Sequence, residues 1–256
     1  MLQDNRTNSV QAVDKAFEVL DIIADDSASP TLPYLINRLG LSHNRTARIL
    51  ATLINRGLVE RDLQTGCYQL GIHSIEMAQK FMNSLNVLKH ARPVMAYLER
   101  THDEAVYMVI MKGDDVLFLD MVDTDQQVKT SSLVGQKFPF FSNAAGKVMM
   151  AFESRDLVDK YFKKNRKLKN TIDTEVLETE LNAIRTRGFA IDIGGLGDGI
   201  TCVAVAVKDY AGKVVGALTL LGPSFRMLAE RIETEIIPSM IGEGLILSGK
   251  FGHATG

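Results

Sequence analysis

Apolar residues recur every three to four positions along the first quarter of the chain, and the pattern breaks at turn-forming residues. Val10, Val13, Phe17, Leu20 and Ile23 share one face of a predicted first helix, with Ser9 placed as its N-cap. The run Asp25-Asp26-Ser27-Ala28-Ser29-Pro30 ends that helix. A short second helix carries Pro33 in its first turn, where a missing N–H costs little, and points Leu35, Ile36 and Leu39 inward. Gly40 then supplies a turn, and Ser42 is positioned to cap a third helix. Its apolar stripe reads as Ala47, Leu50 and Ile54, flanked by Ile49 and Leu53. Two strand-like segments, 58–61 and 67–70, are joined in hairpin fashion by the polar link 62–66. Three short helices closed by a hairpin describe a winged helix-turn-helix, predicted for residues 1–71.

Beyond Gly71 the pattern Ile72, Ile75, Ala78, Phe81, Met82, Leu85 predicts an amphipathic linker helix over 72–86, and a second helix covers about 87–100. Residues 87–256 then mix hairpins and helices. Strands 105–111 and 116–122 flank the turn Gly113-Asp114-Asp115, and strands 200–207 and 214–221 flank Asp209-Tyr210-Ala211-Gly212. Helices are expected near 143–152, 155–164 and 174–187, with Gly188 as a left-handed cap. A last helix spans about 227–248, where Pro238 should kink or restart it. Hairpin strands with helices on them imply an α+β domain built on an antiparallel sheet.

Composition narrows the class. Hydrophobic residues make up 46% and charged ones 23%, the balance of a globular protein with real cores. No apolar run approaches the length of a membrane span, and residues 1–9 are too polar for a signal peptide. Cys67 and Cys202 are far apart and without CxxC spacing, so neither a disulfide framework nor a zinc site is expected. A cytoplasmic protein without membrane partner or cofactor is the resulting expectation.

The net charge of −2 looks wrong for a partner of nucleic acid, but its distribution matters more. Residues 1–71 hold seven basic and eight acidic side chains, yet Arg38, Arg45, Arg48, Arg56 and Arg61 face only Glu60 between positions 38 and 61. Such a patch meets a phosphate backbone with modest, salt-dependent affinity, best used in two copies.

The start of the third helix, Ser42-His43-Asn44-Arg45-Thr46-Ala47-Arg48, is where a helix-turn-helix reaches base edges in the major groove. Ser42 and the free N–H groups of the first turn suit a phosphate. Asn44 and Arg45 have the hydrogen-bonding geometry for adenine and guanine, and Arg48 lies one turn on from Arg45. Arg61, at the hairpin, is placed to touch the flanking backbone or minor groove. His43 reads equally as a surface histidine, and any charged helix face can be merely solvated.

The stretch Leu35-Ile36-Asn37-Arg38-Leu39-Gly40-Leu41, then residues 46–59, resembles IclR-type transcriptional regulators. Later blocks agree in order: Tyr68-Gln69-Leu70-Gly71, Ala91-Arg92-Pro93-Val94, Val134-Gly135 with Pro139, Ala144-Ala145-Gly146-Lys147, Arg187-Gly188-Phe189-Ala190-Ile191-Asp192, Gly199-Ile200-Thr201-Cys202 and Gly222-Pro223-Ser224-Phe225-Arg226. The resemblance implies a winged helix-turn-helix, a linker helix and a GAF-like, antiparallel-sheet sensing domain. It also implies a homodimer or dimer of dimers (a homotetramer) on double-stranded operator DNA, which answers the charge argument. It implies a small organic effector, often a carboxylate, bound by residues matching Phe138, Asn143, Ala144, Asp192, Ile200, Cys202, Thr219 and Leu221.

Where many members of that family carry Thr, this chain has Asn143, and Leu221 stands where small polar residues are frequent. Gly194-Gly195-Leu196-Gly197-Asp198-Gly199 replaces a stretch that is often acidic. With Phe138, Phe140 and Phe141 close by, the pocket reads as apolar enough for an aromatic or branched carboxylic acid. Plainer roles stand beside these: Cys202 as a buried small hydrophobe, Thr219 as ordinary core, Asp192 as a strand end and Asn143 as an N-cap.

Several other signals fail their context. Residues 195–199 imitate a nucleotide loop, but a strand follows instead of a helix. Gly146-Lys147-Val148 lacks the rest of a P-loop, and the five histidines have no metal-ligand spacing. Lys160, Lys163, Lys164, Arg166, Lys167 and Lys169 read as a solvated helix end and loop. The rival from another class is a GAF-like metabolite module or enzyme whose N-terminal domain contacts protein, but no nucleophile, base and orienting group can be nominated together. The reading is therefore a ligand-responsive DNA-binding regulator of catabolic genes and not an enzyme, and the family resemblance, by frequency among its members, implies a repressor.

Overall fold

The computed structural model describes residues 10–25, 30–84, 86–153 and 174–253. The predicted cap at Ser9, the helix 155–164 and the Lys160–Lys169 cluster lie outside them. The chain divides into two compact units, residues 1–84 and 85–256.

The first unit contains α1 (Gln11–Ala24), α2 (Leu32–Leu39), α3 (His43–Asn55), the hairpin β1 (Val59–Arg61) and β2 (Tyr68–Leu70), and α4 (Ile72–Ser84). Pro33 sits in the first turn of α2, and Gly40 ends it in the left-handed region, φ 64°, with its N–H on the Ile36 carbonyl. The wing is antiparallel, pairing Val59 with Leu70 and Arg61 with Tyr68. Its turn is closed by Asp62, whose Oδ1 accepts the Gln64 and Thr65 N–H groups at 2.7 and 3.2 Å. These bonds hold that carboxyl below its usual range. The first turn of α4 is tied to the base of the wing by Gly71 N–H on the Leu58 carbonyl and His73 N–H on the Gly57 carbonyl.

Val19, Ile23, Leu35, Leu39, Ile49, Leu50, Leu53, Val59 and Tyr68 form the core of this unit. Two predicted stripes are corrected. The N-cap Val10 and, in α1, Val13 and Phe17 stay 65%, 50% and 62% exposed, while Val19 and Ile23 turn inward. In α3 the buried face is Thr46, Ile49, Leu50 and Leu53, and Ile54 stays outside. Both helices carry apolar residues over a wide arc, so the 3.6-residue period fits two stripes and only packing chooses. Thr46 is tolerated inside because its hydroxyl donates to the Ser42 carbonyl.

The second unit is α+β. Helix α5 (Asn86–His102) leads into β3 (Ala105–Lys112) and β4 (Asp115–Val122). The short β5 (Lys137–Pro139) and a 3₁₀ turn (Phe140–Ser142) come next, then α6 (Ala144–Ala151), α7 (Thr174–Arg187), β6 (Phe189–Ile193), β7 (Ile200–Lys208) and β8 (Val214–Pro223). All six strands pair antiparallel in the order β5-β4-β3-β8-β7-β6. Helix α6 and the β-strand residues Tyr107, Phe118, Cys202, Ala204 and Leu221 share one core. Helices α5 and α8 (Ile237–Lys250) pack on the sheet as well. They lie on the opposite face, since Val205, the neighbour of Gly244 in α8, alternates with Ala204. Before Pro238 the chain runs through a π-helical stretch, Ile232–Ile236, so the proline restarts the last helix as its ring and missing N–H require.

Candidate DNA interface and effector site

Helix α3 opens directly after the α2–α3 turn, and its inward side chains begin only at Thr46. That leaves Ser42, His43, Asn44, Arg45 and Arg48 on its leading edge, none of them buried. Ser42 occupies the N-cap position, but its side chain makes no capping bond, so its hydroxyl is not spent on the helix. Arg61 is exposed on the wing strand, 5.8 Å from the centre of the Tyr68 ring. Among the described residues none of Arg38, Arg45, Arg48, Arg56 and Arg61 forms an ion pair. The surface thus offers guanidinium groups with their charge uncompensated, which is what a polyanion displaces counterions to reach.

In the second unit most of the proposed effector residues converge. Asp192, Cys202 and Leu221 stand in register across β6, β7 and β8, and Thr219 pairs with Ala204 and Tyr107 two residues along. Helix α6 lies over these strands. Phe138 is on the far edge strand, edge-on to Phe118 at 5.5 Å, and it, Phe141, Leu196 and Ile200 are partly buried against the same core.

Asn143 takes the plainer of its two roles. It is fully buried, its Oδ1 accepts the Gly146 N–H at 3.0 Å, and its amide donates to the Pro139 carbonyl and to Ser142 Oγ. The side chain is an N-cap for α6 with its hydrogen-bonding capacity used locally. Thr219 is the reverse case: it is fully buried, yet its hydroxyl has no hydrogen-bond partner among the described residues. Asp192 is half-buried, and burial pushes its carboxyl up, opposed by Lys147 and by the Gly195 N–H at 2.9 Å. Lys147 in turn is held by Glu180 at 2.9 Å. Sequence reasoning named Lys147 and Gly195 only within blocks and gave neither a role at this site. The only signal for Lys147 was its place in the Ala-x-Gly-Lys block.

Burial pushes the Cys202 thiol up to about 12, so it carries essentially no thiolate near neutrality. A thiol reagent at pH 8 is expected to modify Cys67, which is half-buried in the wing, and to leave Cys202 untouched until denaturant is added. Mass spectrometry of the labelled peptides checks this, and rapid native labelling of Cys202 would contradict the burial.

Profiles of two domains match the chain: the IclR helix-turn-helix domain over residues 12–63, and the bacterial transcriptional regulator IclR C-terminal domain over residues 79–241. The chain belongs to the IclR family. It is a DNA-binding transcriptional regulator with a C-terminal effector-binding domain, and its relatives are regulators, not enzymes. It is 29% identical over 231 residues to the HTH-type transcriptional regulator BhcR of Paracoccus denitrificans, covering 88% of this chain and 82% of that one. It is 26% identical to the transcriptional repressor IclR of Escherichia coli, covering 88% and 85%. The crystal structure of an IclR homolog from Microbacterium hydrocarbonoxydans complexed with 4-hydroxybenzoate superposes with a TM-score of 0.79 at 18% identity, covering 94% of this chain and 99% of that one.

As an IclR-family effector domain, the second unit owes its close packing to glycines. Gly195 approaches so near the Ser142 carbonyl that a β-carbon there would stand 2.0 Å from the oxygen, which places the glycine-rich loop 194–199 against the turn that leads into α6. No described helix of this IclR-family chain is long and apolar enough to cross a membrane.

Proposed function

We propose that this regulator is a cytoplasmic repressor of catabolic genes that binds a two-fold operator as a homodimer or dimer of dimers and lets go when a small aromatic or branched carboxylic acid fills its sensing domain. Arg45 and Arg48, without ion-pair partners on the leading edge of α3, carry the DNA half of this reading, with Ser42, His43 and Asn44 beside them and Arg61 on the wing. Pairing is supported by apolar surface the first unit leaves uncovered on α4, Ile72, Ile75 and Met77, each more than half exposed. A second copy covers such faces and doubles a patch too weak alone.

The effector half rests on the aromatic edge Phe138–Phe118–Tyr107 and on the unpartnered Thr219 hydroxyl above Cys202 and Leu221. Residues 144 and 192, with Ile200, border the same core. A protein of the same fold holds 4-hydroxybenzoate, an acid of this chemical class. The repressor sign is taken from the relative named a repressor.

The test is a fluorescence-anisotropy titration of the gene's own upstream DNA. Arg45→Ala should cost about 1–3 kcal/mol of specific affinity, or about 5- to 150-fold, with much less loss on random duplex. Adding 4-hydroxybenzoate should weaken specific binding further than an equal amount of glyoxylate does. An equal loss on both DNAs overturns base reading by Arg45, and a response to the two-carbon acid alone overturns the aromatic pocket.

A further inference from the structure

Gln11 opens helix α1, and its side chain meets the α3 residue thirty-four positions later: Arg45 Nη2 donates to Gln11 Oε1 at 2.8 Å. A guanidinium has only donors, so the glutamine atom that faces it must be the carbonyl oxygen. Both residues are exposed, and a hydrogen bond between exposed groups adds little to stability. Its physical consequence is orientation. Arg45 is a long side chain with many rotamers, and reading a guanine demands two parallel N–H bonds in one plane.

The bond to Gln11 uses one of five N–H groups and leaves enough of the guanidinium for a two-point contact. Its position is apt, because Ala12 and Val13 of the same α1 turn line one groove with Ser42, Asn44, Arg45 and Arg48 of α3. The first turn of α1 thus flanks the leading edge of the recognition helix. The Nε2 group of Gln11 makes no hydrogen bond among the described residues, leaving two donors for a phosphate oxygen.

We infer that Gln11 is a positioning residue for DNA reading: it fixes the plane of the Arg45 guanidinium and so sharpens discrimination at the one base pair that Arg45 contacts. This rests on the proposal that Arg45 reads a base. A bond that instead restrained Arg45 away from DNA would make its loss strengthen specific binding.

The experiment uses the full chain and a set of duplexes from its footprinted upstream site, each with one base pair replaced. Affinities are measured for wild type, Gln11→Ala, Gln11→Glu, Arg45→Ala and the double variant Gln11→Ala/Arg45→Ala, with melting temperatures of the free proteins alongside. Arg45→Ala should abolish discrimination at one position. Gln11→Ala should lower discrimination at that same position by about 3- to 10-fold, part of a full base contact, with other positions and the melting temperature unchanged. In the Arg45→Ala background it should change discrimination no further, leaving only a uniform loss across all duplexes from the phosphate contact. Gln11→Glu keeps the acceptor, so it should preserve the discrimination while weakening all duplexes together through added negative charge.

If Arg45→Ala shows its single-position effect but Gln11→Ala does not, or Gln11→Ala tightens specific binding, the positioning role is overturned and base reading by Arg45 stands. If Arg45→Ala weakens every sequence equally, base reading itself fails and the inference falls with it.

Discussion

Glu104→Ala is expected to cost the second unit about 3–5 kcal/mol, because it strips the carboxylate from a cluster of two arginines. Glu104 precedes β3 at 1% exposure and holds Arg226 through both oxygens at 2.7 Å, with Arg231 on Oε1 at 3.3 Å. The two guanidiniums also bond the backbone, Arg226 to the Val128 carbonyl and Arg231 to the carbonyls of Arg226 and His102. The cluster therefore ties α5, β3, the 123–136 segment and the chain after β8 together. Gly222 makes the room, since a β-carbon there would fall 2.6 Å from Glu104 Oε2.

Removing one partner leaves like charges side by side in a half-buried place, which costs far more than the intact cluster contributes. For a unit of this size the loss corresponds to about 6–20 °C in melting temperature, read by circular dichroism. The double variant Glu104→Met/Arg226→Met should recover part of it, because apolar groups leave less charge unpaired. A Glu104→Ala protein that melts within about 2 °C of wild type would show that the arginines find solvent at no cost.

That cluster marks where sequence reading ends. Arg226 was legible as part of a family block, but its partner lies 122 residues upstream, and nothing in the local pattern of Glu104 distinguishes it from a surface acid. The leading edge of α3 was legible, because Gly40 and Ser42 fix where the helix begins and the helical period then sets which of the next residues share its outer face. The stripe on α1 was misplaced for a physical reason: Val10, Val13 and Phe17 are as apolar as core residues, and periodicity reports an apolar face without saying what covers it. Thr46 was missed because its burial depends on a bond to a backbone carbonyl. In the effector unit the four long strands could be read from apolar runs flanking hairpin turns, whereas three-residue β5 is too short to show any period. The glycines of the Ala-x-Gly-Lys and glycine-loop blocks were visible as letters, but the backbone atoms that demand them were not.

Gly146→Ala is the second large effect, and it isolates that last point. Gly146 lies in the first turn of α6, where a β-carbon would stand 2.0 Å from the Phe140 carbonyl oxygen, 2.4 Å from its Cα and 2.5 Å from its carbonyl carbon. All three are backbone atoms of the turn that begins at Phe140, a fully buried residue, so no side chain can swing aside. The helix must lift, and α6 carries Ala144, Ala145, Val148, Met149, Met150 and Ala151 into the core over the sheet. Lifting it also pulls the Gly146 N–H from the Asn143 side chain that caps the helix. A loss of about 4 kcal/mol or more is expected, about 8–16 °C in melting, confined to the second unit. Gly242→Ala is the matched control. It also adds one methyl to a helix, but its β-carbon meets nothing within 4 Å, so it should be neutral or stabilise by up to about 1 kcal/mol through helix propensity. If the two variants melt alike, the close approach of α6 to the Phe140 turn is wrong, and with it the placement of the helix start over Cys202 and Thr219.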